Sequence, residues 1–124
     1  MEFLQKIDWD KLQFEYGLFG KRLLPWEKLN LPFGGAYCVV GSHTTSTSHI
    51  NEPAGEEELF IAISGRAKVW LGNGSYEMEK GDVLFIPAGI SHYIENDNRE
   101  DFHLYALWWN TGTVNSYLNT TPNE

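Results

Sequence analysis

The residues that could carry out chemistry are concentrated in two stretches of the chain. The first contains His49 and Asn51, followed after a turn by Glu58. Alternate residues of a β-strand share a face, so His49 and Asn51 point the same way with about 6 to 7 Å between their backbones. The turn at 53–55 can return a carboxylate of the run Glu56–Glu58, whose first and last members share a face, to the same side. The spacing therefore allows these side chains to converge on one point.

The second stretch places a histidine directly after a turn. A predicted strand, Asp82–Ile86, runs into a turn that contains Pro87 and Gly89, and His92 then opens the next strand. Side-chain packing gives little reason to prefer an imidazole at that position. We therefore expect His92 to belong to a functional site.

The composition is that of one acidic, folded domain. The 124 residues include 9 Lys+Arg and 17 Asp+Glu, a formal balance of −8. A chain of this length buries about two thirds of its unfolded surface, which is enough for one core. The basic residues are few and dispersed, which argues against a non-specific interaction with nucleic acid or with an anionic membrane.

The chain shows no targeting signal and no membrane-spanning pattern. No apolar run approaches the roughly 18 residues of a membrane span, and the N-terminus lacks the charged-then-apolar order of a signal peptide. Cys38 is the only cysteine, so an internal disulfide is impossible and a reducing compartment is the simpler assumption. These features predict a cytoplasmic protein.

The elements that position the candidate residues are predicted to be antiparallel β-strands. From Ala36 onward, short apolar or alternating runs are separated by Gly, Pro and Asn at spacings of about ten residues, as in an all-β sandwich or barrel. Parallel strands would need long crossovers, for which the chain has no room. The predicted strands are Ala36–Ser42, Thr45–Asn51, Glu58–Ser64, Ala67–Leu71, Ser75–Glu79, Asp82–Ile86, His92–Asn96 and Phe102–Trp109. For residues 1–35 we predict a short helix followed by an extended arm. For residues 111–124 we predict a C-terminal tail.

The two stretches together resemble the two sequence motifs of the cupin superfamily. The second motif, G-x5-P-x-G-x2-H-x3-N, is matched at every position by Gly81, Pro87, Gly89, His92 and Asn96. Five residues of fixed type at fixed spacing make this a specific match.

The first motif, G-x5-H-x-H-x3,4-E-x6-G, is matched in part. His49 takes the place of the first histidine, and Glu58 takes that of the glutamate because it precedes Gly65 by seven positions. Asn51 replaces the second histidine, and six residues rather than three or four separate it from Glu58. His43 falls where the opening glycine of the motif belongs.

The resemblance covers about residues 36 to 109 and implies an all-β double-stranded β-helix, a small jelly-roll barrel over residues 36–110 with a metal near its axis. It implies His49, Glu58 and His92 as metal ligands, with Asn51 as a weak fourth ligand or a vacancy. Two imidazoles and one carboxylate suit non-haem Fe(II), Mn, Ni, Co or Zn and leave positions open for substrate or water.

Further residues are candidates for the barrel interior. His103 and Tyr105 alternate on a late strand that lines the barrel in cupins, and the resemblance makes them candidates for moving a proton. The alternative is that both are ordinary strand residues facing core or solvent. On the first predicted strand, either Tyr37 or Cys38 must face inward, and alternation does not say which. His43 lies about 20 Å back along an ideal strand from His49, too far to share its metal.

Three functions remain open. The first is a metal-dependent enzyme acting on a small polar molecule, and the second is a non-catalytic cupin that binds a small ligand or a metal. A narrower resemblance, to small bacterial cupins that occur beside methionyl-tRNA-synthetase-like modules, adds a third. Where the two modules are fused, the proteins join amino acids through a nitrogen–nitrogen bond, so the resemblance implies that this chain is a component of such a synthesis and needs a synthetase-like partner as a separate chain. The family resemblance and the apolar N-terminal arm also predict a homodimer.

Overall fold

The computed structural model describes residues 3–24, 31–51 and 55–119, and it consists almost entirely of β-strands. The N-terminal segment begins with a single 3-10 turn, Trp9–Lys11. In chain order, the later elements are β1 (Gln13–Glu15), β2 (Leu18–Arg22), β3 (Gly34–Val40), β4 (Thr44–Thr45), β5 (Glu56–Ser64), β6 (Arg66–Leu71), β7 (Gly74–Glu79), β8 (Val83–Ile86), β9 (His92–Asn96), β10 (Phe102–Asn110) and the helix α1 (Thr111–Asn119).

The strands form two antiparallel sheets. The larger has the order β1-β2-β3-β10-β5-β8, and the smaller has the order β4-β9-β6-β7. Neighbours in space are often distant in sequence, as where β10 lies between β3 and β5. This is a jelly-roll topology, and it confirms the all-β cupin-type fold expected from the sequence.

The core lies between the sheets and results from the two-residue period of the strands. On β10, the inward positions Phe102, Leu104 and Ala106 are all buried. The smaller sheet contributes Val69 and Ile94, whose side chains are almost fully buried. Because alternate side chains point to opposite faces, each strand presents one face to this core and the other to the outside.

The motif residues of the second stretch have clear structural roles. Gly81 and Gly89 adopt positive φ angles of 93° and 79° in the turns before and after β8, a conformation that disfavours any residue with a Cβ atom. The Asn96 amide is buried and donates to the carbonyls of Val40, Gly41 and Glu100. Asn96 therefore joins the end of β9 to the end of β3 and to the loop before β10.

Most predicted strand bounds agree with the structure within two residues, but one strand is much shorter than expected. Instead of Thr45–Asn51, only Thr44–Thr45 forms a strand, and His49 adds an isolated bridge to His92. Between them the Ser46 hydroxyl accepts the Ile94 backbone N–H at 2.8 Å, in the place of a backbone carbonyl. This side-chain substitution interrupts the regular ladder.

The N-terminal region differs from the predicted helix and extended arm. The short helix amounts to the 3-10 turn, and the predicted arm instead contains a hairpin of β1 and β2 that pairs with β3 and extends the larger sheet. The hairpin turns at Tyr16 and Gly17, both with positive φ, which suits the twist of a two-residue β-turn. Residues 25–30 of the predicted arm lie outside the described residues.

The C-terminal region also differs from the prediction. Residues 111–119 of the predicted tail form the helix α1, while residues 120–124 lie outside the described part of the chain. The Thr111 backbone N–H and hydroxyl both donate to the Gly55 carbonyl, which ties the start of α1 to the loop before β5. Within the described residues, no helix has the length and hydropathy to cross a membrane.

Candidate functional site

One cavity of about 310 Å³ opens between the two sheets, and it contains the candidate ligands of the first and second stretches. His49, Asn51, Glu58 and His92 all line it, as does Glu56. As strand parity predicts, Glu57 points away from Glu56 and Glu58, and its carboxylate accepts a hydrogen bond from the Trp109 indole at 3.2 Å.

His49 and His92 face each other across a two-stranded bridge. Each donates its backbone N–H to the carbonyl of the other, both at 2.9 Å. Their rings meet edge to face with centroids 5.6 Å apart. The bridge thus holds two imidazoles, which come from different parts of the sequence, side by side at the cavity wall.

The orientation of the His92 ring is set by a backbone carbonyl. His92 Nδ1 lies 3.1 Å from the Ile90 carbonyl oxygen, which can only accept, so Nδ1 carries a proton and Nε2 is the ring nitrogen left for a partner in the cavity. Nε2 faces Glu58 Oε1 at 3.4 Å, and both side chains are buried. Two lone pairs in this position repel each other unless a proton or a cation lies between them.

Asn51 is buried at 4% exposure, and its amide nitrogen Nδ2 has no hydrogen-bond partner. It is the single buried side-chain nitrogen or oxygen atom in the described residues for which this is so. Buried polar groups in folded proteins nearly always have a partner. The unsatisfied atom on the cavity wall therefore indicates a place where a ligand atom belongs.

The donor side chains share a cavity without closing around one point. No group of three or more His, Cys, Asp or Glu side chains in residues 3–24, 31–51 and 55–119 is arranged to hold a metal ion. The donor chemistry nevertheless fits a divalent cation, because the His92 tautomer is fixed from behind by a carbonyl, as is usual for metal-ligating histidines.

Two further groups that line the cavity, the Cys38 thiol and the Glu56 carboxyl, have raised pKa values. Burial raises the pKa of the Cys38 thiol to about 12, and the Glu58 charge adds to the shift. Cys38 therefore faces the cavity as a neutral thiol, while Tyr37 faces outward. Burial also raises the pKa of Glu56, again with a contribution from Glu58.

The N-terminal hairpin supplies a wall that the sequence prediction missed. Glu15, Tyr16, Leu18 and Arg22 line the cavity from β1, β2 and their turn. The Tyr16 ring packs on His49 with centroids 4.8 Å apart. The alternating positions 18, 20 and 22 were a signal for a strand facing this side, but nothing local indicated that the strand would reach the site.

His103 and Tyr105 do not line the cavity, so the expectation that they do so is wrong. Both lie on the outer face of the larger sheet, because Leu104, Ala106 and Trp108 take the inward positions of β10. They form an outer aromatic cluster with Trp9 and Tyr37, in which the Tyr37 hydroxyl lies 2.7 Å from His103 Nδ1 and the Tyr37 and Tyr105 rings are 4.9 Å apart.

His43 is also outside the site. It is exposed, has a positive φ of 54° and pairs with Asp97 at 3.3 Å. It does not line the cavity that contains His49.

The chain matches known proteins over the barrel and, for some, over nearly its full length. The model of the cupin domain family matches residues 36–109. The chain is 37% identical over 61 residues to the uncharacterized protein MJ1618 of Methanocaldococcus jannaschii, a match over 49% of this chain and 46% of that protein. It therefore spans about half the length of that curated relative.

Two solved structures are similar over almost the whole chain. The plu4264 protein of Photorhabdus luminescens is 42% identical, with a TM-score of 0.86 over 96% of this chain and 97% of that one. A Cupin 2 conserved barrel domain protein of Salinispora arenicola is 31% identical, with a TM-score of 0.84 over 96% and 98% of the two chains. Neither name refers to a synthetase, so the narrower resemblance to synthetase-associated cupins stays a prediction.

Three findings agree: the matched family model, the near full-length similarity to solved structures and the jelly-roll topology. The motif residues His49, Glu58 and His92 also line one cavity. This chain belongs to the cupin domain family.

Proposed function

We propose that this cupin binds one divalent transition metal, of the group Fe, Mn, Ni, Co or Zn, and acts as a metal-dependent enzyme on a small polar molecule. His49, Glu58 and His92 would be the protein ligands. When bound, such an ion supplies Lewis-acid chemistry to an oxygen of the substrate.

The observation that carries the proposal is the geometry of His92 and Glu58. An imidazole whose Nδ1 is held by a carbonyl faces a buried carboxylate at 3.4 Å, with a second imidazole beside it. A buried carboxylate and an imidazole nitrogen that face each other need a positive charge between them, which a proton or a shared cation supplies, and the second imidazole beside them supports the cation.

The remaining cavity residues fit roles around such a centre. Tyr16, rather than Tyr105, lines the cavity and packs its phenol ring on His49, so it replaces Tyr105 as the candidate for moving a proton. Phe60 packs edge to face on His92 and helps to keep water from one side of the imidazole. The hairpin of β1 and β2 shields the same cavity from solvent.

The test is elemental analysis of the purified protein beside three variants made in the same way. Wild type should retain near-stoichiometric metal after offering Fe(II), Mn, Ni, Co and Zn, while His92→Ala and Glu58→Ala should lose it. His103→Ala is the matched control and should retain it, since that imidazole lies on the outer face. A wild-type protein that takes up none of these ions overturns the proposal.

A non-catalytic cupin that binds a small ligand is the second candidate. It is favoured by the open arrangement of the donors, which in the described residues do not surround one point. Ligand affinity that is the same with and without metal would support this function over the first.

We further propose that two copies pair through the outer face of the larger sheet. On this face the apolar side chains of Val83 and Phe85, two positions apart on β8, are 58% and 46% exposed. Adjoining exposed apolar side chains are typical of association surfaces. Sedimentation velocity should give the mass of a dimer, and Phe85→Ser should shift it toward the monomer. A wild-type monomer at micromolar concentration would contradict the pairing.

A further inference from the structure

We propose that the cavity binds a small carboxylate ligand, whose oxygens are bound by the Asn51 amide and the Arg22 guanidinium. This rests on the proposed function in one respect, because the metal ion would share the cavity with the ligand. It assigns Asn51, which replaces the second motif histidine, to the ligand and not to the metal.

The first support is the unsatisfied amide of Asn51. Its Nδ2 is a donor, is buried and has no acceptor in the protein. In the amide orientation shown, this nitrogen is not a metal donor, because an amide binds metal through its oxygen. A ligand oxygen can, and a carboxylate oxygen is a strong acceptor.

The second support is the state of Arg22 at the cavity wall. Its Nε and Nη2 donate to the two carboxylate oxygens of Glu15, at 2.9 and 3.1 Å. A guanidinium has five N–H groups, so three of them have no partner among the described contacts. The guanidinium also lies over the Trp108 ring at 5.7 Å, which holds its plane in place.

Arg22 is also the only Lys or Arg side chain that lines the cavity in the described residues. Its fork already accommodates one carboxylate, that of Glu15, in the bidentate geometry that arginine prefers. The remaining N–H groups of the half-exposed guanidinium offer the same fork geometry for a second carboxylate.

The charges in the cavity make this binding dependent on metal. Glu15, Glu56 and Glu58 provide three carboxylates against one guanidinium, so the metal-free cavity carries a formal charge of −2 and repels an anion. A divalent cation brings the sum to zero, which allows a monoanion to enter. The volume of about 310 Å³ holds roughly ten water-sized groups, so the ligand is a small carboxylate.

The test compares propionate with its neutral analogue propionamide, using ligand-observed NMR titrations of metal-loaded and metal-free protein. Metal-loaded wild type should bind propionate at least tenfold more tightly than propionamide. Arg22→Gln and Asn51→Leu should each weaken propionate binding about tenfold while retaining metal. Arg66→Gln is the matched control, since Arg66 forms a similar pair with Glu79 on the surface, at 2.8 Å, and should bind as wild type does.

Asn51→Asp is a second variant that keeps the test valid if Asn51→Leu does not fold. It keeps the size of the side chain and replaces the donor with a charge, so it should retain metal and lose propionate. Loss of metal from Asn51→Leu, with metal retained by Asn51→Asp, would make Asn51 a ligand of the ion and overturn the assignment. Equal affinity for propionate and propionamide would overturn the ligand class.

Failure of this inference and failure of the metal site give different results. Metal retained by wild type without propionate binding overturns the carboxylate site alone. Propionate binding to a protein that retains no metal, weakened by Arg22→Gln, would overturn both the proposed metal site and the metal dependence of binding, and would support only the contact of the carboxylate with Arg22.

Discussion

The cavity and the outer aromatic cluster both contain histidine side chains, but the partners of the two imidazoles differ. In the cluster, the His103 imidazole has a neutral partner, the Tyr37 hydroxyl at 2.7 Å, and aromatic rings cover it. In the cavity, the His92 imidazole is held from behind by a carbonyl and faces a buried carboxylate at 3.4 Å. His103 therefore has a neutral hydrogen-bond partner. His92 instead faces a carboxylate, and a proton or a cation can lie between the two groups.

This difference shows that a histidine on a barrel strand indicates a site only when its strand face is known. His103 and Leu104 are adjacent, yet one faces the solvent side of the sheet and the other the core. What separates a structural imidazole from a candidate ligand is the partner of the second ring nitrogen, and that partner is a property of the tertiary fold.

The largest contrast between the two faces is expected in stability. Phe102 is fully buried on the inner face, while Phe85 on the outer face is 46% exposed. Phe102→Ala should lower the free energy of unfolding by about 3 to 5 kcal/mol, because it leaves a cavity in the core. Phe85→Ala should lower it by less than about 1.5 kcal/mol. Urea denaturation at a protein concentration that keeps one oligomeric state measures both, and equal losses would contradict the assignment of the faces.

A smaller contrast is expected in the pH dependence of stability. The Cys38 thiol has a pKa of about 12 in the folded, metal-free protein against an ordinary value of 9.0. Between these values the unfolded chain binds fewer protons than the folded one, so stability falls as pH rises. At pH 10 this thiol should account for roughly 1 kcal/mol of lost stability.

Cys38→Ala isolates this contribution, because every other group that titrates in the same range is unchanged. The difference in unfolding free energy between wild type and variant should narrow as the pH is raised from 8 to 10. In the same window the wild-type thiol should react slowly with Ellman's reagent until the protein unfolds. A rapid reaction of the folded protein at pH 8 would show that Cys38 is not held as a buried neutral thiol.

The smallest effect is expected from the hydrogen bond of the outer cluster. Tyr37→Phe removes the hydroxyl that bonds His103, at a cost of about 0.5 to 1.5 kcal/mol. Metal content and propionate affinity should not change, since neither residue reaches the cavity. If Tyr37→Phe lost metal as His92→Ala does, the two regions would be coupled and would not act independently.

Much of the barrel was predictable because strand patterns are local. The strand His92–Asn96 was predicted with its observed bounds, and β5 begins only two residues earlier than predicted. The motif residues Gly81, Gly89 and Asn96 are distinctive because positive φ angles and a buried capping amide allow few residue types. Because these requirements restrict the residue type at each position, they can be recognised from the sequence.

The face of β10 was not predictable in the same way. Its two alternating sets, Phe102-Leu104-Ala106-Trp108 and His103-Tyr105-Leu107-Trp109, are both rich in apolar or aromatic residues. Alternation therefore does not distinguish the inner face from the outer one. A register irregularity against β5 between His103 and Leu104 adds to the ambiguity.

The sequence by itself determined most strands of the barrel, the turn residues and the candidate residues His49, Glu58 and His92, since these depend on residue type and spacing along one segment. The tertiary structure decided that a hairpin from the N-terminus brings Glu15, Tyr16 and Arg22 to the cavity and that His103 and Tyr105 lie outside it. The physical reason is that side-chain alternation is a property of each strand, whereas the face that becomes buried depends on the strands and the sheet that pack against it.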